Sequence, residues 1–325
     1  MADRLLIIVV NYKTAAYTRK CLRALEPEVT GLPGSRVVVV DNASGDGAEL
    51  DAAIRENGWE GWVSLDVAEA NGGQAYGWNR PIRRALGSDE APEYVLLLDP
   101  DTEVRPGALG TLVGFLETHP DVGIVGCGFE NLDGTDWPLA FRFFSIASEL
   151  DDGLRLGLVS RLLKNQVLAR TMAQDVEARV DWVSGACMMV RRAVFEDVGL
   201  TDEGYFAYFE ETDFCLRAHR AGWPIWYVPQ GRVMHVRGQS TGIAAPDRKP
   251  GRRPTYWFES RRRYFLKNHG LFYALAADLA FGLGYSLFRV RRAIQRKPDT
   301  DPPDFLRDFW AHSVLWRRNR RTAPD

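Results

Sequence analysis

The sequence lacks the short patterns that mark several common enzyme and metal-binding classes. Its four cysteines lie far apart and form no Cys-x-x-Cys pair, which argues against a zinc ribbon and against a disulfide scaffold. No G-x-G-x-x-G segment follows the first apolar run, and no P-loop occurs. A dinucleotide oxidoreductase and a P-loop enzyme are therefore disfavoured.

Internal repeats and a leader segment are not apparent either. No period of about 20–50 residues is visible, which argues against a solenoid. The first apolar run, Leu5–Val10, is too short and too soon followed by polar residues for a signal peptide. We therefore expect a protein of the reducing cytosol.

The charge is small overall but unevenly distributed. The 325 residues are 46% hydrophobic and 26% charged, which is an ordinary globular composition, and the net charge is −2. Residues 246–325 hold 18 basic and 8 acidic side chains, whereas residues 1–245 hold 23 and 35. We expect two functional regions, of which the basic one meets an anionic partner.

Apolar runs alternate with helical segments through the first half of the chain. This rhythm predicts an α/β fold, with a mostly parallel sheet covered by helices on both faces. Residues 131–180 are less regular, 240–256 resemble a linker, and 256–296 are predicted to form long helices. Strands are predicted at 5–10, 36–40, 63–67, 94–98, 123–126, 182–190 and 225–228, and helices at 17–25, 50–57, 76–86, 108–118 and 210–221.

Acidic residues follow two of the predicted strands. Asp99 and Asp101 come directly after the run 94–98, and Asp41 follows 36–40. Ligands of open α/β sheets bind at the carboxyl ends of strands, and two carboxylates one residue apart can reach one Mg²⁺ or Mn²⁺ ion. Asp41 could accept hydrogen bonds from a nucleobase or a ribose. Simple turns after a strand are the alternative at both places.

Three more segments carry candidate functional groups. Glu210, Glu211 and Asp213 crowd the start of a predicted helix, and crowding raises a carboxyl pKa toward the range of a general base. A solvated helix start is the alternative. His235 could complete a metal site with Asp101. The Gly-rich segment 72–77 suits close approach to a diphosphate.

Taken together, these segments resemble the family 2 inverting glycosyltransferases, specifically the rhamnosyltransferase-like branch. They occur in the order and spacing of that family over about residues 5–242. The matching pieces are Val9-Val10-Asn11-Tyr12, Val40-Asp41-Asn42-Ala43-Ser44, Asn71-Gly72-Gly73 with Asn79, Leu98-Asp99-Pro100-Asp101, Trp182-Val183-Ser184-Gly185-Ala186, Phe209-Glu210-Glu211-Thr212-Asp213-Phe214-Cys215-Leu216-Arg217 and His235-Val236-Arg237-Gly238-Gln239-Ser240.

The resemblance implies a GT-A nucleotide-sugar fold for residues 1–245, and the charge and apolar pattern predicts a basic helical region at 246–325. It implies that Glu211 is the catalytic base, where the family usually has Asp, with Asp213 as a weaker candidate. Asp101 and His235 would hold Mg²⁺ or Mn²⁺, and Asp99 would contact the metal or the donor ribose. Trp182 could instead be a plain core residue. The implied donor-binding residues are Asn11, Asp41, Asn42, Gly73, Asn79, Asp99, Trp182, Gly185, Ala186 and Glu210.

The function that the resemblance implies is metal-dependent, inverting transfer of a sugar from a nucleotide diphosphate donor. The first expectation is rhamnose from dTDP-rhamnose, moved to a glycan or lipid-linked acceptor in bacterial polysaccharide synthesis. A UDP-sugar donor, a sugar nucleotidyltransferase and a non-catalytic nucleotide-sugar-binding protein are the alternatives. No recognised nucleic-acid motif accompanies the basic tail, so no nucleic-acid partner is expected.

The basic tail contains an apolar stretch, Leu271–Phe288, interrupted by Asp278 and flanked by arginines. Eighteen residues barely cross a bilayer core, and Asp278 would cost about 2.5–3.5 kcal/mol at its centre. The pattern therefore favours peripheral attachment of residues 256–296 to the anionic cytoplasmic face of a membrane. The alternative is a helical hairpin that packs on the catalytic domain or on the second subunit of a homo-oligomer.

Overall fold

A computed structural model describes residues 4–88, 91–137, 139–172, 175–236 and 251–316. Two features of the sequence analysis lie outside these ranges. They are the segment Arg237–Ser240, which continues the His235 motif, and most of the expected linker at 240–256.

The order of strands and helices follows the predicted alternation. The strands are β1 Leu5–Asn11, β2 Ser35–Asp41, β3 Val63–Val67, β4 Tyr94–Leu98, β5 Thr102–Val104, β6 Ile124–Glu130, β7 Asp136–Trp137, β8 Leu139–Phe141, β9 Ala169–Thr171, β10 Ala178–Val180, β11 Cys187–Arg191 and β12 Ile225–His235. The helices are α1 Ala15–Gly31, α2 Gly47–Glu56, α3 Gln74–Leu86, α4 Ala108–Thr118, α5 Ile146–Leu154, α6 Gly157–Leu162, α7 Arg192–Val198, α8 Glu210–Arg220, α9 Thr255–His269, α10 Leu271–Ile294 and α11 Phe305–His312.

The central sheet is mixed, with the order β10-β12-β6-β11-β4-β1-β2-β3. Strands β4, β1, β2 and β3 are parallel, as expected, and so are β6 and β12. Strand β11 runs antiparallel between β4 and β6. Because β1, β2 and β4 are parallel, the polar residues that follow them meet at one edge of the sheet.

Helices cover both faces of this sheet, which explains why β1 and β4 are apolar throughout. Successive residues of a strand point to opposite faces. One core therefore contains Leu5, Ile7 and Val9 with side chains of α1 and α4, and the other contains Leu6, Ile8 and Val10 with side chains of α3 and α8.

Two predicted strands have different bounds in the structure. The strand expected at 182–190 is confined to Cys187–Arg191, since Trp182 makes one isolated bridge to Phe141 and the chain turns at 185–186. The strand expected to end at Val228 continues beyond an irregularity between Val228 and Arg232. His235 is therefore the last residue of β12 and lies opposite Thr102 of β5.

The C-terminal helices α9 and α10 form a hairpin that packs on α5 and α8. The turn between them is at Gly270, whose φ of 82° favours glycine. Glycines also allow α5 and α10 to approach closely, because a Cβ at Gly153 would lie 2.6 Å from the Phe281 carbonyl oxygen. Tyr264 and Phe265 of α9 share a core with Phe209 and Leu216. This packing matches the hairpin alternative, and the domain boundary at 245 stays a prediction.

Candidate active site

Asp99, Asp101 and His235 meet at the end of β4. The His235 Nε2 atom lies 3.3 Å from Asp101 Oδ1 and 3.9 Å from Asp99 Oδ2. One possible ligand atom from each residue lies within 4.8 Å of the others. The antiparallel pairing of β5 with the end of β12 brings His235 to the two acids, although it is 134 residues from Asp101 in the sequence.

The donor set of this cluster fits a hard divalent cation. Burial and the neighbouring Asp101 carboxylate raise the pKa of Asp99 to about 6. The His235 ring packs on Phe129, with 5.5 Å between ring centroids, and its Nε2 faces the carboxylates. Two carboxylates with one imidazole are ligands that Mg²⁺ and Mn²⁺ accept. The cluster can therefore hold a metal ion.

Asp41 is buried where β2 ends, beside the end of β1. Its Oδ1 accepts hydrogen bonds from Asn11 Nδ2, at 3.1 Å, and from the Ser44 hydroxyl. The Asn11 amide also donates to Asp46 Oδ2 at 2.9 Å, and its Oδ1 accepts from Thr18 at 2.9 Å. Asn11 is completely buried. The Asn11 side chain therefore orients the Asp41 turn from inside the protein.

Asn42 and Gly73 lie next to this turn. The Asn42 Nδ2 donates to the Gly73 carbonyl at 3.0 Å, which ties the Asp41 turn to the start of α3. Gly73 has a φ of 87°, and a Cβ there would lie 2.0 Å from the Phe206 carbonyl oxygen. Only glycine fits, because the backbone conformation and the close approach both exclude a side chain.

Gln74 is a site residue that the sequence analysis did not select. Its Nε2 donates to Asp99 Oδ1 at 3.3 Å, and its backbone N–H donates to Phe206 at 2.7 Å. It thus links the Gly-rich segment to the metal cluster.

Two predicted donor-binding residues have their polar groups engaged elsewhere. Asn79 Nδ2 donates to the Thr201 carbonyl and to Glu203, both at 2.8 Å, so this side chain holds α3 to the 201–203 segment. Trp182 Nε1 donates to the Arg142 carbonyl at 2.8 Å, and its ring stacks on Phe141. The core alternative for Trp182 matches this packing.

Glu210 and Glu211 begin α8 beneath the same edge of the sheet. Burial raises the pKa of Glu211 to about 7, and the Asp99 charge contributes. Burial and the Glu211 charge hold the pKa of Glu210 well above its ordinary value. Among the described residues, no group donates a hydrogen bond to the Oε2 atom of either side chain.

The backbone on both sides of Glu211 is specialised. Tyr208 and Phe209 have φ values of 67° and 71°, a conformation that costs free energy for residues with a side chain. A Cβ at Gly185 would lie 3.6 Å from the Glu211 Cβ, and the neighbouring Ala186 carbonyl accepts from the Asp99 N–H at 3.0 Å. The 185–186 turn therefore places Glu211 beside the metal cluster.

Asp213 has a different environment, although it lies two residues further along α8. Four donors surround its fully buried carboxylate. They are Tyr205 Oη at 3.1 Å, Arg217 Nε at 3.0 Å, Lys267 Nζ at 2.7 Å and Asn268 Nδ2 at 2.8 Å. This carboxylate has no lone pair left for a substrate proton, so the geometry favours Glu211 as the base. Lys267 and Asn268 were missed because nothing in the sequence links them to α8.

Known proteins similar to this chain are glycosyltransferases. The family model for "Glycosyltransferase like family 2" matches residues 2–253. An N-acetylglucosaminyl-diphospho-decaprenol L-rhamnosyltransferase of Mycobacterium tuberculosis is 30% identical over 251 residues, which cover 74% of this chain and 79% of the relative. A rhamnosyltransferase of Escherichia coli is 26% identical over 234 residues, or 70% of this chain and 82% of the relative.

One solved structure supports the fold. A mannosyltransferase of Pyrobaculum calidifontis, in complex with GDP-Man and Mn²⁺, superposes with a TM-score of 0.56 at 18% identity. The superposition covers 91% of this chain and 76% of that chain. The expected GT-A arrangement, an α/β sheet with helices on both faces and a helical C-terminal region, is confirmed.

Proposed function

The chain belongs to glycosyltransferase family 2 and is a glycosyltransferase; on that premise we propose that it moves rhamnose, with inversion, from dTDP-rhamnose to a hydroxyl group of a lipid-linked glycan. The M. tuberculosis and E. coli relatives, both named rhamnosyltransferases, support the choice of sugar. The M. tuberculosis name also supports an acceptor carried on a polyprenyl diphosphate. A UDP-sugar donor remains the alternative.

The observation that carries the proposal is the convergence of Glu211 with the metal cluster at one edge of the sheet. Glu211 supplies a carboxylate with a raised pKa and an oxygen that accepts no hydrogen bond from the described part of the chain. Asp99, Asp101 and His235 supply the ligands for a cation. A base beside a metal–diphosphate site is the combination that sugar transfer from a nucleotide requires.

Each residue has a defined role in the proposed reaction. Glu211 removes the proton from the acceptor hydroxyl, whose oxygen attacks the anomeric carbon from the face opposite the nucleotide. Asp41, oriented by Asn11, accepts hydrogen bonds from the pyrimidine base. Asp99, Asp101 and His235 would hold Mg²⁺ or Mn²⁺. When bound, this ion supplies positive charge that stabilises the departing diphosphate.

Calorimetric titration of nucleotide-sugars with Mn²⁺ present, followed by a transfer assay, tests the proposed function. We expect dTDP-rhamnose to bind more tightly than UDP-sugars and to be consumed only when an acceptor is added. Tighter binding of a UDP-sugar would favour the alternative donor. Binding without any transfer would favour a non-catalytic protein, and no binding at all would contradict the proposal.

A membrane surface is the second partner in the proposal, and α10 supplies the contact. Helix α10 is long and apolar enough to cross a membrane, with a mean hydropathy of 1.5. One face of α10, however, packs against the protein core, where Asp278 is buried in an ion pair with Arg261. The other face carries exposed apolar residues at helical spacing. This α10 stripe consists of Phe272, Leu279, Leu283, Leu287, Val290 and Ile294.

The α10 stripe suits the interface of an anionic membrane better than its interior. Exposed basic residues, Arg296 and Lys297, follow the end of the stripe and can meet lipid headgroups. The four cysteines are buried free thiols, which is compatible with the cytoplasmic side of the membrane. Peripheral attachment at that face is therefore the arrangement we propose.

Vesicle flotation of the full-length chain tests this contact, since removal of α9 and α10 would expose the shared core. We expect wild type to float with anionic vesicles and the Leu283→Glu, Leu287→Glu double variant to stay in solution. Leu132→Glu places the same charge at another exposed leucine and should float. If the double variant floats normally, or if sedimentation shows that the stripe is buried between two subunits, the membrane proposal is wrong.

A further inference from the structure

A cavity of about 320 Å³ opens between the start of α9 and α11. It lies outside the metal cluster and outside the acids of α8. Two arginines from the segment before α9 and two residues of α11 form much of its wall. The wall residues that matter here are Arg252, Arg253, Thr255, Phe258, Asp308 and His312.

The two arginines of this cavity differ in how their charge is balanced. Arg252 makes two hydrogen bonds of 2.7 Å to the two oxygens of Asp308, so these charges neutralise each other. Arg253 makes no hydrogen bond or ion pair with any described residue, and its Nε atom is buried without a partner. Its guanidinium lies 5.5 Å from the centre of the Trp257 ring. Burial lowers the pKa of Arg253, and the charge of Asp152 opposes this effect without forming an ion pair.

The start of α9 adds to the positive character of the same cavity. Thr255 lines the cavity and is the first residue of a 15-residue helix. The first N–H groups of a helix have no intrahelical acceptor, and the helix dipole favours an anion at this end. The cavity therefore combines the N-terminal end of α9 with a guanidinium that makes no hydrogen bond or ion pair with a described residue.

The cavity also adjoins the segment that carries the candidate base. The Tyr256 ring lies 5.1 Å from Phe206 and stacks parallel to Tyr208 at 6.4 Å. Tyr208 precedes Glu210 and Glu211 on the same turn into α8. Burial raises the pKa of Tyr256, and the charges of Arg253 and Glu210 also act on it, so this ring is near the cavity and near the start of α8.

We propose that this cavity binds the diphosphate group of the lipid-linked acceptor, a proposal that rests on the proposed function. The planar guanidinium of Arg253 can donate two parallel hydrogen bonds to one phosphate group. The Arg252–Asp308 pair fixes the wall of the cavity without cancelling the Arg253 charge. Phosphate is shared by three molecules, namely the acceptor, the nucleotide donor and membrane phospholipids, so the test must separate them.

The binding test uses inorganic pyrophosphate as the probe and full-length protein in EDTA, which removes the metal that the donor site needs. We expect Arg253→Gln to weaken pyrophosphate binding at least tenfold, as measured by calorimetry, and Arg253→Lys to weaken it less. Arg161→Gln makes the same change at an exposed arginine of α6 and should bind as wild type does. Equal affinity in wild type and Arg253→Gln, with unchanged melting temperatures, would overturn the proposal.

The kinetic test compares two acceptors that carry the same sugar. One is N-acetylglucosamine on a short polyprenyl diphosphate, and the other is its neutral octyl glycoside. We expect Arg253→Gln to raise KM at least tenfold for the diphosphate acceptor and to leave KM for the octyl glycoside and for the donor unchanged. An equal rise with both acceptors would indicate a merely structural role and overturn the proposal.

Two further outcomes separate the remaining possibilities. Loss of vesicle flotation in Arg253→Gln with an unchanged acceptor KM would assign the cavity to a phospholipid headgroup and overturn the proposal. Pyrophosphate binding requires no sugar transfer. Arg253-dependent binding by a protein that transfers no sugar would therefore count against the proposed function alone and leave phosphate binding in the cavity supported.

Discussion

Two sets of buried acids in this molecule differ in what surrounds them. Asp213 and Asp278 lie where α8 and α10 meet the rest of the C-terminal helices. Asp213 forms ion pairs with Arg217 and Lys267, and Asp278 forms an ion pair with Arg261. Glu210 is also buried and Glu211 is half-buried, yet each keeps a buried oxygen without a donor among the described residues. Ion-paired acids serve the fold, whereas an acid kept buried without a partner costs stability and points to chemistry.

The largest effect in this comparison is expected at Glu211. Glu211→Gln keeps the size and the hydrogen-bonding capacity of the side chain but cannot accept the acceptor proton, so we expect kcat to fall by about 10²–10⁴. The donor dissociation constant and the melting temperature should stay close to wild type. Normal turnover in the Gln variant would show that another group is the base.

The acids of the metal cluster extend this comparison, because we expect their cation to be a metal ion bound from solution and not a basic side chain. We expect transfer to stop in excess EDTA and Asp101→Ala to lose roughly two orders of magnitude in kcat/KM. His235→Ala should weaken the binding of Mn²⁺, measured by calorimetry, with a smaller loss of activity. Undiminished transfer in EDTA would exclude the metal from the reaction.

Asp213 provides the matched structural counterpart to Glu211. Removing its charge leaves Arg217 and Lys267 without their shared acceptor, so Asp213→Asn should lower the free energy of unfolding by about 3–5 kcal/mol in urea titrations. Glu211→Gln, on the same helix, is the control that should retain stability. A stable Asp213→Asn protein with the activity loss of a missing base would reverse the two assignments.

The smallest expected effect is on the pH profile. The raised pKa of Glu211, about 7, means that protonation removes the base as the pH falls below this value. The rate constant kcat/KM should therefore drop about tenfold per pH unit on the acid side and level off above pH 7. An acid limb near pH 4.5, the ordinary value for Glu, would show that Glu211 is not perturbed in the active enzyme.

The sequence predicted the elements of the fold well and the site in part. Continuous apolar runs identified β1 and β4, because strands covered on both faces contain few polar residues. The acids that come directly after β4 were then predicted to be site residues from their position at the end of this strand. The family resemblance ranked Glu211 ahead of Asp213, but the residues alone could not separate them, since the difference depends on Lys267 and Asn268, which reach α8 only through the tertiary fold. The hydrogen bond of Asn79 to Thr201 could not be predicted for the same reason, because the two residues are 122 positions apart.

The four donors around Asp213 have a consequence for the order in which the polypeptide folds during synthesis. Tyr205 and Arg217 leave the ribosome together with Asp213, but Lys267 and Asn268 follow more than fifty residues later. Until α9 is made, the Asp213 carboxylate cannot be buried with its full set of donors. Helix α8 therefore cannot adopt its final packed position before that point. The helix that carries Glu211 should therefore reach its final position only after α9 has been synthesised. A nascent chain that stops before α9 should thus lack an ordered Glu211 site.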